Sequence, residues 1–93
     1  MEKRELSSII LTRRAELDLR YWKESGNQIK IDRINKLVES CKLSPSNGIG
    51  KPELLKFKDE YTYSRRIDKT HRLVYRIERN VLVILSLRFH YEK

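Results

Sequence analysis

HRLVYRIERN at residues 71–80 and VLVILSLRFHY at residues 81–91 form the stretch that decides the fold. In residues 71–77 the odd positions are apolar or aromatic, and the even positions are mostly charged. The odd positions from 81 to 91 are again apolar, whereas Ser86, Arg88 and His90 share the other parity. Since a β-strand sends alternate side chains to opposite faces, this pattern predicts two strands joined by a tight turn at residues 78–80. The predicted hairpin has one apolar face and one basic face.

Two amphipathic helices are predicted upstream of this hairpin. Thr12 is the expected N-cap of the first, which Gly26 ends in a left-handed conformation. Asn27 is the expected N-cap of the second, which Ser44 and Pro45 end. The apolar residues at helical spacing are Ala15, Leu19 and Trp22 in the first helix, and Ile31, Ile34, Leu37, Val38 and Cys41 in the second. The short connection predicts an antiparallel helical hairpin with Trp22 and Cys41 in the core.

Strands on either side of the helices complete the predicted fold. Residues 7–11 are short, β-branched and apolar, as in a first strand, and residues 61–68 alternate as the hairpin does. Residues 46–52 form a loop rich in Gly and Pro, and one further short strand is expected near Glu53. We predict a single α+β domain over residues 1–93. An N-terminal strand and a two-helix hairpin pack on one face of an antiparallel sheet, in the order β-α-α-β-β-β.

The composition predicts a soluble protein with an anionic partner. Lys and Arg outnumber Asp and Glu by 21 to 13 in 93 residues, a net charge of +8. This balance favours nucleic acid, although charge alone does not identify the anion. The single Cys41 excludes an intramolecular disulfide, and one Cys with two His residues has no metal-ligand spacing. Because no apolar run approaches a membrane span and no signal-peptide core follows Met1, the expected location is the cytoplasm.

Basic side chains gather on one face of the predicted sheet. If the helices cover the apolar face, the other face collects Arg66, Arg72, Arg76, Arg88 and His90. Such a surface suits phosphate groups. Glu53 would be a solitary carboxylate beside it if the loop at residues 46–52 folds over the sheet. Metal-free RNA cleavage needs a base for the 2′-hydroxyl, an acid for the leaving 5′-oxygen and cations for the phosphate, and Glu53, His90 and the arginines could supply them.

The same residues also have structural interpretations. A Glu among cations is usually an ion pair, a His near a chain end is usually solvated, and a basic strand face can bind nucleic acid passively. Tyr91 could stack on a base or close the edge of the core, and its parity with Phe89 favours the core. His71 shares the apolar parity and is interpreted as structural. The residue pattern alone leaves catalysis and passive binding open.

Four blocks of this sequence form a family pattern, namely GIGKPELLK at residues 48–56, YSRRI at 63–67, HRLVY at 71–75 and RFHY at 88–91. In their order and spacing they closely resemble the YoeB/Txe toxins of the RelE superfamily. YWKE at residues 21–24 is also similar, so the resemblance spans most of the domain and implies a RelE-like fold. The chain departs from the family in carrying Glu92 and Lys93 after the usual final His-Tyr, and in having Tyr63 for a usual Trp and Phe89 for a usual Tyr. These two added residues separate the terminal carboxylate from the His-Tyr, so a role for that carboxylate beside the active site is not implied for this chain.

The resemblance implies a type II toxin that enters the ribosomal A site and cleaves mRNA there without a metal or other cofactor, which inhibits translation. The implied products carry a 2′,3′-cyclic phosphate and a 5′-hydroxyl. The matching motif positions make Glu53 the general base, His90 the general acid, Arg72 the phosphate ligand and Tyr91 the residue that orients the substrate. Contacts with RNA or the ribosome are implied at Arg66, Arg65, Lys51, Lys56 and Arg88.

The resemblance also implies the partners. They are the ribosome with its rRNA, mRNA, and a cognate antitoxin of the YefM or Axe type or of another class. Operator DNA is reached only through the antitoxin, a homodimer is compatible, and no membrane is involved. Two other functions are considered, a ParE-like toxin of the same fold that inhibits DNA gyrase and a passive RNA-binding module. Glu53 and His90 argue against the ParE-like toxins, which lack the acid and the base, and a passive module has no need of Glu53.

Overall fold

The computed structural model describes residues 8–55 and 62–89. Its elements in chain order are β1 (Ser8–Leu11), α1 (Arg13–Glu24), α2 (Gln28–Leu43), β2 (Glu53–Leu54), β3 (Thr62–Arg66), β4 (Arg72–Glu78) and β5 (Val81–Ser86). The five strands form one sheet in the order β1-β5-β4-β3-β2. This confirms the predicted α+β architecture, including the short additional strand at Glu53.

The helix ends follow the predicted caps. The Thr12 hydroxyl accepts a hydrogen bond from the Ala15 N–H at 3.2 Å, and the Asn27 side chain accepts one from the Lys30 N–H at 3.2 Å. Each cap satisfies one of the backbone donors that a helix N-terminus leaves unpaired. Gly26 has a φ of +70° between the two helices. Local sequence therefore sets where both helices begin and where the chain turns back.

The core lies between the two helices and one face of the sheet. Trp22 is 4% exposed and Cys41 is fully buried, as predicted for both. They belong to one cluster with Leu73 and Tyr75 of β4 and residues of α2 and β5. Burial in this cluster disfavours the thiolate and raises the pKa of Cys41 to about 11. The thiol is therefore an apolar packing group in this fold.

The β4–β5 hairpin forms as predicted, through a two-residue turn. Glu78 pairs with Val81, and the intervening Arg79 and Asn80 have φ values of +47° and +72°. Two consecutive residues with positive φ match the twist of the flanking strands, which is why such turns are favoured in hairpins.

β5 contains a β-bulge, and the predicted faces of the strand are reversed for the residues that precede it. The β4–β5 register shifts so that Leu85 is an extra residue in β5. Consequently Leu82 and Ile84 face the helices, rather than Val83 and its odd-numbered neighbours, and Leu87 joins the same core cluster after the bulge. The apolar residues occupy both parities in this strand, so alternation alone could not decide which side faced the core.

The sheet is antiparallel from β2 to β5, as predicted, and β1 extends it by a parallel pairing that the prediction did not include. β1 pairs with β5 in parallel, from Ser8 opposite Val81 to Leu11 opposite Ile84. The helical hairpin and the three following strands lie between these two strands in sequence, a connection long enough for parallel pairing. The sheet is therefore mixed. Among residues 8–55 and 62–89, neither helix has the length and apolar character needed to cross a membrane.

The turn between β3 and β4 is fixed by Asp68. Its Oδ1 accepts hydrogen bonds from the N–H groups of Thr70 at 2.8 Å and His71 at 2.6 Å, and its Oδ2 lies 2.8 Å from Lys30 Nζ. Burial of Asp68 opposes ionisation, but the hydrogen bonds from Lys30 and these backbone groups outweigh it and lower the pKa of Asp68 to about 2. The ionised carboxylate thus ties α2 to the start of β4.

Replacing Asp68 with Asn is expected to lower the free energy of unfolding by about 1–2 kcal/mol near neutral pH, after allowing for solvent screening. Asn can keep the turn hydrogen bonds but loses the charge that pairs with Lys30. Since the folded pKa lies below the unfolded value of 3.8, the stabilisation is present above about pH 4 and is lost as the pH falls towards 2.

Urea unfolding of both proteins at pH 6 and pH 2.5 measures this difference. The same substitution at Asp32, which accepts a hydrogen bond from Gln28 within α2, is the control. A gap between wild type and Asp68→Asn that is equally large at both pH values would contradict this role.

Candidate active site

Glu53 begins β2, at the edge of the sheet. Its register partner is Ser64 in β3, and Ser64 pairs in turn with Val74 in β4. Because side chains of paired residues point to the same face, Glu53 shares a face with Ser64 and Val74. Both partners are buried but lie outside the core cluster on the helix side, whereas Glu53 is exposed. Glu53 therefore stands at the rim of a buried strip on the sheet face away from the helices.

Arg66 and Arg72 are direct partners across β3 and β4 on this same face, and we call them the arginine pair. Arg66 follows Ser64 by two residues, so its Cα is a diagonal neighbour of that of Glu53, at roughly 7–8 Å in such a ladder. Like charges placed opposite each other repel, and a phosphate between them would relieve the repulsion. The described residues thus bring together one carboxylate and two guanidinium groups from the predicted site.

The segment after β5 passes beside Arg72. The Arg72 N–H donates to the Phe89 carbonyl at 3.1 Å, and the Phe89 N–H donates to His71 Nδ1 at 2.8 Å. Phe89 has a φ of +64°, so the chain turns sharply there. The predicted acid and substrate-orienting residue, His90 and Tyr91, follow directly but lie outside the described residues.

Two side chains of α1 hold the same segment two residues earlier, at Leu87. Asp18 Oδ2 accepts a hydrogen bond from the Leu87 N–H at 2.8 Å, and Trp22 Nε1 donates to the Leu87 carbonyl at 3.0 Å. Asp18 is only 3% exposed, and its carboxylate also accepts from Arg14 Nε at 3.0 Å. The segment that leads to the predicted acid is therefore anchored to the helical layer.

The prediction that Arg65 contacts RNA is wrong. Its side chain has no exposed surface, because it points to the helix side with Tyr63 and Leu73 rather than to the face of the arginine pair. Its guanidinium is enclosed by hydroxyl and carbonyl oxygens, beginning with the Tyr75 hydroxyl, which accepts from Nε at 2.9 Å. Arg65 is a structural residue of the loop and core.

The remaining basic residues of the predicted site are dispersed. Lys51 is exposed in the loop before β2, at a φ of +53°. Arg88 is half-buried, with its guanidinium carbon 3.5 Å from the centre of the Tyr21 ring and 4.5 Å from that of Phe89. Aromatic stacking thus holds Arg88 against α1. Lys56 lies outside the described residues.

Comparisons with known proteins identify the family. A family model described as the YoeB-like toxin of bacterial type II toxin-antitoxin system matches residues 11–91. The chain belongs to this family. Among curated YoeB-like toxins, Toxin YoeB of Synechocystis sp. is 43% identical over 72 residues, which cover 77% of this chain and 84% of that protein.

Solved structures of YoeB-like toxins share the fold. The YoeB/ParE toxin from Agrobacterium tumefaciens has a TM-score of 0.84 at 34% identity, covering 91% of this chain and 100% of that chain. YoeB from Staphylococcus aureus has been solved as a dimer, with a TM-score of 0.81 at 35% identity, covering 92% of this chain and 99% of that one. The YoeB-YefM complex from the same organism gives a TM-score of 0.78 at 37% identity, covering 90% and 97%. These similarities confirm the RelE-like fold.

Sequence reasoning missed two features that organise this YoeB-like toxin. Asp18 is a charged residue at helical spacing from Ala15 and Trp22, so its place within an apolar stripe was the available signal. His71 fits its structural interpretation, since it packs edge-on to Trp22 at 5.0 Å between ring centres, but its Nδ1 also anchors Phe89.

Within the described ranges, no group of three or more His, Cys, Asp or Glu residues could hold a metal ion.

Replacing His71 with Leu is expected to lower the free energy of unfolding by about 1 kcal/mol, because the Phe89 N–H loses its acceptor. Asn places an oxygen near the position of Nδ1 and is expected to restore much of this loss. Trp22 is the only Trp in the chain and contacts His71, so its fluorescence during urea unfolding reports the change. Equal stability of the Asn and Leu variants would contradict a role for the acceptor.

Proposed function

We propose that this YoeB-like toxin is a ribosome-dependent endoribonuclease that cleaves mRNA in the A site and thereby inhibits translation. One observation carries the proposal: Glu53 shares a sheet face with the arginine pair, one strand away from Arg66. A passive RNA-binding surface needs the two arginines but has no use for a carboxylate beside them, since it would repel phosphate. Membership of a toxin family supports the same class of function.

In the proposed reaction Glu53 takes the proton from the 2′-hydroxyl of the nucleotide on the 5′ side of the scissile bond. The 2′-oxygen attacks the adjacent phosphorus, and the bond from phosphorus to the 5′-oxygen breaks. His90 donates a proton to that leaving oxygen. The products are a 2′,3′-cyclic phosphate and a 5′-hydroxyl, so atoms and protons balance with no other reactant.

The arginine pair holds the phosphate during this reaction. Negative charge builds on the non-bridging oxygens as the fifth bond to phosphorus forms, and fixed guanidinium groups stabilise it without reorganising. Arg72 provides most of this charge stabilisation, because it lies between Arg66 and the segment that leads to His90. Tyr91 orients the substrate, and Lys51, Lys56 and Arg88 contact RNA or the ribosome.

We further propose that a cognate antitoxin masks this face. The S. aureus relative was solved in complex with YefM, and the net charge of +8 favours an antitoxin segment that carries acidic residues and orders on binding. The toxin would act in the cytoplasm, where ribosomes, mRNA and the antitoxin meet, and would reach operator DNA only through the antitoxin. A homodimer, the form in which the S. aureus relative was solved, is part of this proposal.

Primer extension on an mRNA, with and without ribosomes, tests the nuclease function. The purified protein is expected to produce cuts only when the mRNA is on ribosomes, and to leave DNA supercoiling by gyrase unchanged. Inhibited supercoiling without mRNA cuts would instead assign the ParE-like function. Cuts in free RNA at the same rate would overturn the ribosome dependence.

A further inference from the structure

Arg65 is a buried cation at the centre of the loop that precedes Glu53. Its Nη1 donates to Ser40 Oγ at 2.6 Å and to the Ile49 carbonyl at 3.0 Å, and its Nη2 donates to the carbonyls of Ser44 and of Asn47, the latter at 2.9 Å. These acceptors come from the last turns of α2 and from residues 44–49. The C-terminal end of a helix carries partial negative charge, which favours a guanidinium there.

The loop backbone lies close to α2 and to Arg65 at two positions, and both are occupied by glycines. A Cβ at Gly48 would collide with Ser40 Oγ and would lie 3.0 Å from Arg65 Nη1. A Cβ at Gly50 would lie 2.6 Å from Leu37 Cδ2 and 3.1 Å from Arg65 Cβ. Both glycines also have positive φ values, +123° and +83°, which disfavour side chains. Residues 44–50 are therefore wrapped around the guanidinium.

The wrapped loop ends where the sheet begins. The Gly50 carbonyl accepts a hydrogen bond from the Arg66 N–H at 2.7 Å, and Glu53 then pairs with Ser64. The loop and Glu53 are thus both positioned by hydrogen bonds with β3. In this strand Arg65 points to the helix side and Arg66 points to the opposite face. Tyr75 adds a second tie, since its hydroxyl accepts from Arg65 Nε and donates to the Pro45 carbonyl at 2.5 Å.

A core that needed only packing would not place a guanidinium here. Burying a charge is costly, and apolar residues of similar volume are often equally or more stabilising at such positions. A planar group with five donors does supply what packing cannot, namely fixed directions for several carbonyl groups at once. The contacts of Arg65 fit a template for one loop conformation.

We propose that Arg65 is a positioning residue, whose guanidinium templates residues 44–50 and so sets where Glu53 lies relative to the arginine pair. Arg65 acts through Glu53 and touches no substrate. This inference rests on the proposed nuclease function for its kinetic consequence. Its structural half, the templated loop, can be tested without any activity.

The test uses Arg65→Lys, which keeps the positive charge and loses the planar fork, with exposed Arg20→Lys on α1 as the matched control. Hydrogen exchange of the intact protein is expected to speed up in residues 44–54 of Arg65→Lys and to stay unchanged in residues 72–86. Exchange that is unchanged in residues 44–54 would overturn the templating role. If Arg65→Lys fails to fold, Tyr75→Phe is used instead, because it removes the second tie. Exchange in residues 44–54 is then expected to speed up by a smaller factor.

Single-turnover mRNA cleavage on ribosomes then tests the link to Glu53. Arg65→Lys is expected to lower the maximal rate by about 10²-fold while the half-saturating ribosome concentration is unchanged, as for a misplaced catalytic group. In a Glu53→Gln background the same substitution is expected to cause little further loss. Equal fold losses in both backgrounds would assign Arg65 a general structural role and overturn the proposal. Wild-type protein that does not cleave at all would refute the nuclease function, while the exchange result would still decide the templating.

Discussion

Glu53→Gln is expected to reduce the maximal rate of ribosome-dependent mRNA cleavage by about 10²- to 10⁴-fold, the usual contribution of a general base. Gln has nearly the same shape and can keep the β2–β3 pairing of Glu53 with Ser64, but it cannot accept the 2′-hydroxyl proton. The loss should therefore appear in the maximal rate, with ribosome binding unchanged. Rapid-quench cleavage at saturating ribosomes measures it.

The matched control is Glu24→Gln, which makes the same change at an exposed position in α1. Glu24 lies on the helical layer, and the variant is expected to cleave at the wild-type rate. If Glu53→Gln weakened ribosome binding and left the maximal rate intact, Glu53 would be a docking residue and the assignment as base would fail.

Arg72→Gln is expected to lower the same rate by about 10²- to 10³-fold, comparable to the loss of one preorganised charge-stabilising donor. Arg72 is the register partner of Arg66 across β3 and β4, so a phosphate held by the arginine pair loses one of its two cations. Arg72→Lys is expected to recover only part of the rate, because a single ammonium group cannot make the paired hydrogen bonds of a guanidinium.

Arg20→Gln is the control for Arg72→Gln, since it removes the same charge from an exposed site on α1. Comparing the two variants separates the effect of the charge at Arg72 from the general attraction of a basic protein to RNA, which weakens as salt is added. An equal loss in the Arg20 and Arg72 variants, abolished at high salt, would show that only the net charge matters.

Much of this fold follows from local sequence. The caps at Thr12 and Asn27, the left-handed Gly26 and the hairpin turn are short-range signals, and the structure confirms each of them. The alternation in β4 also correctly places Tyr75 towards the helices. These features depend on residues within a few positions of each other, which is why a single sequence is enough to predict them.

Features that depend on distant pairing could not be predicted in the same way. The bulge at Leu85 reverses the faces of β5, and nothing in an apolar run at both parities marks where it falls. The parallel pairing of β1 with β5 joins the two ends of the described chain. In both cases tertiary packing decides among local patterns that are equally acceptable.

Arg65 illustrates the limit for the candidate site. Its parity with Tyr63 and Ile67 is the signal for the helix side, whereas the resemblance to the toxin family implied an RNA contact. The acceptors that enclose it come from α2 and the following loop, which become neighbours only in the folded chain. By contrast, the register that places Glu53 beside the arginine pair agrees with the proximity predicted from the sequence.

The most direct test of acid–base cleavage by Glu53 and His90 is primer extension on ribosome-bound mRNA with the double variant Glu53→Gln, His90→Ala. A melting temperature within a few degrees of wild type establishes that the variant is folded. Wild type is expected to leave strong cuts with a 2′,3′-cyclic phosphate on the upstream fragment, and the double variant is expected to leave none above background. Cuts by the double variant that matched wild type in position and yield would contradict the account.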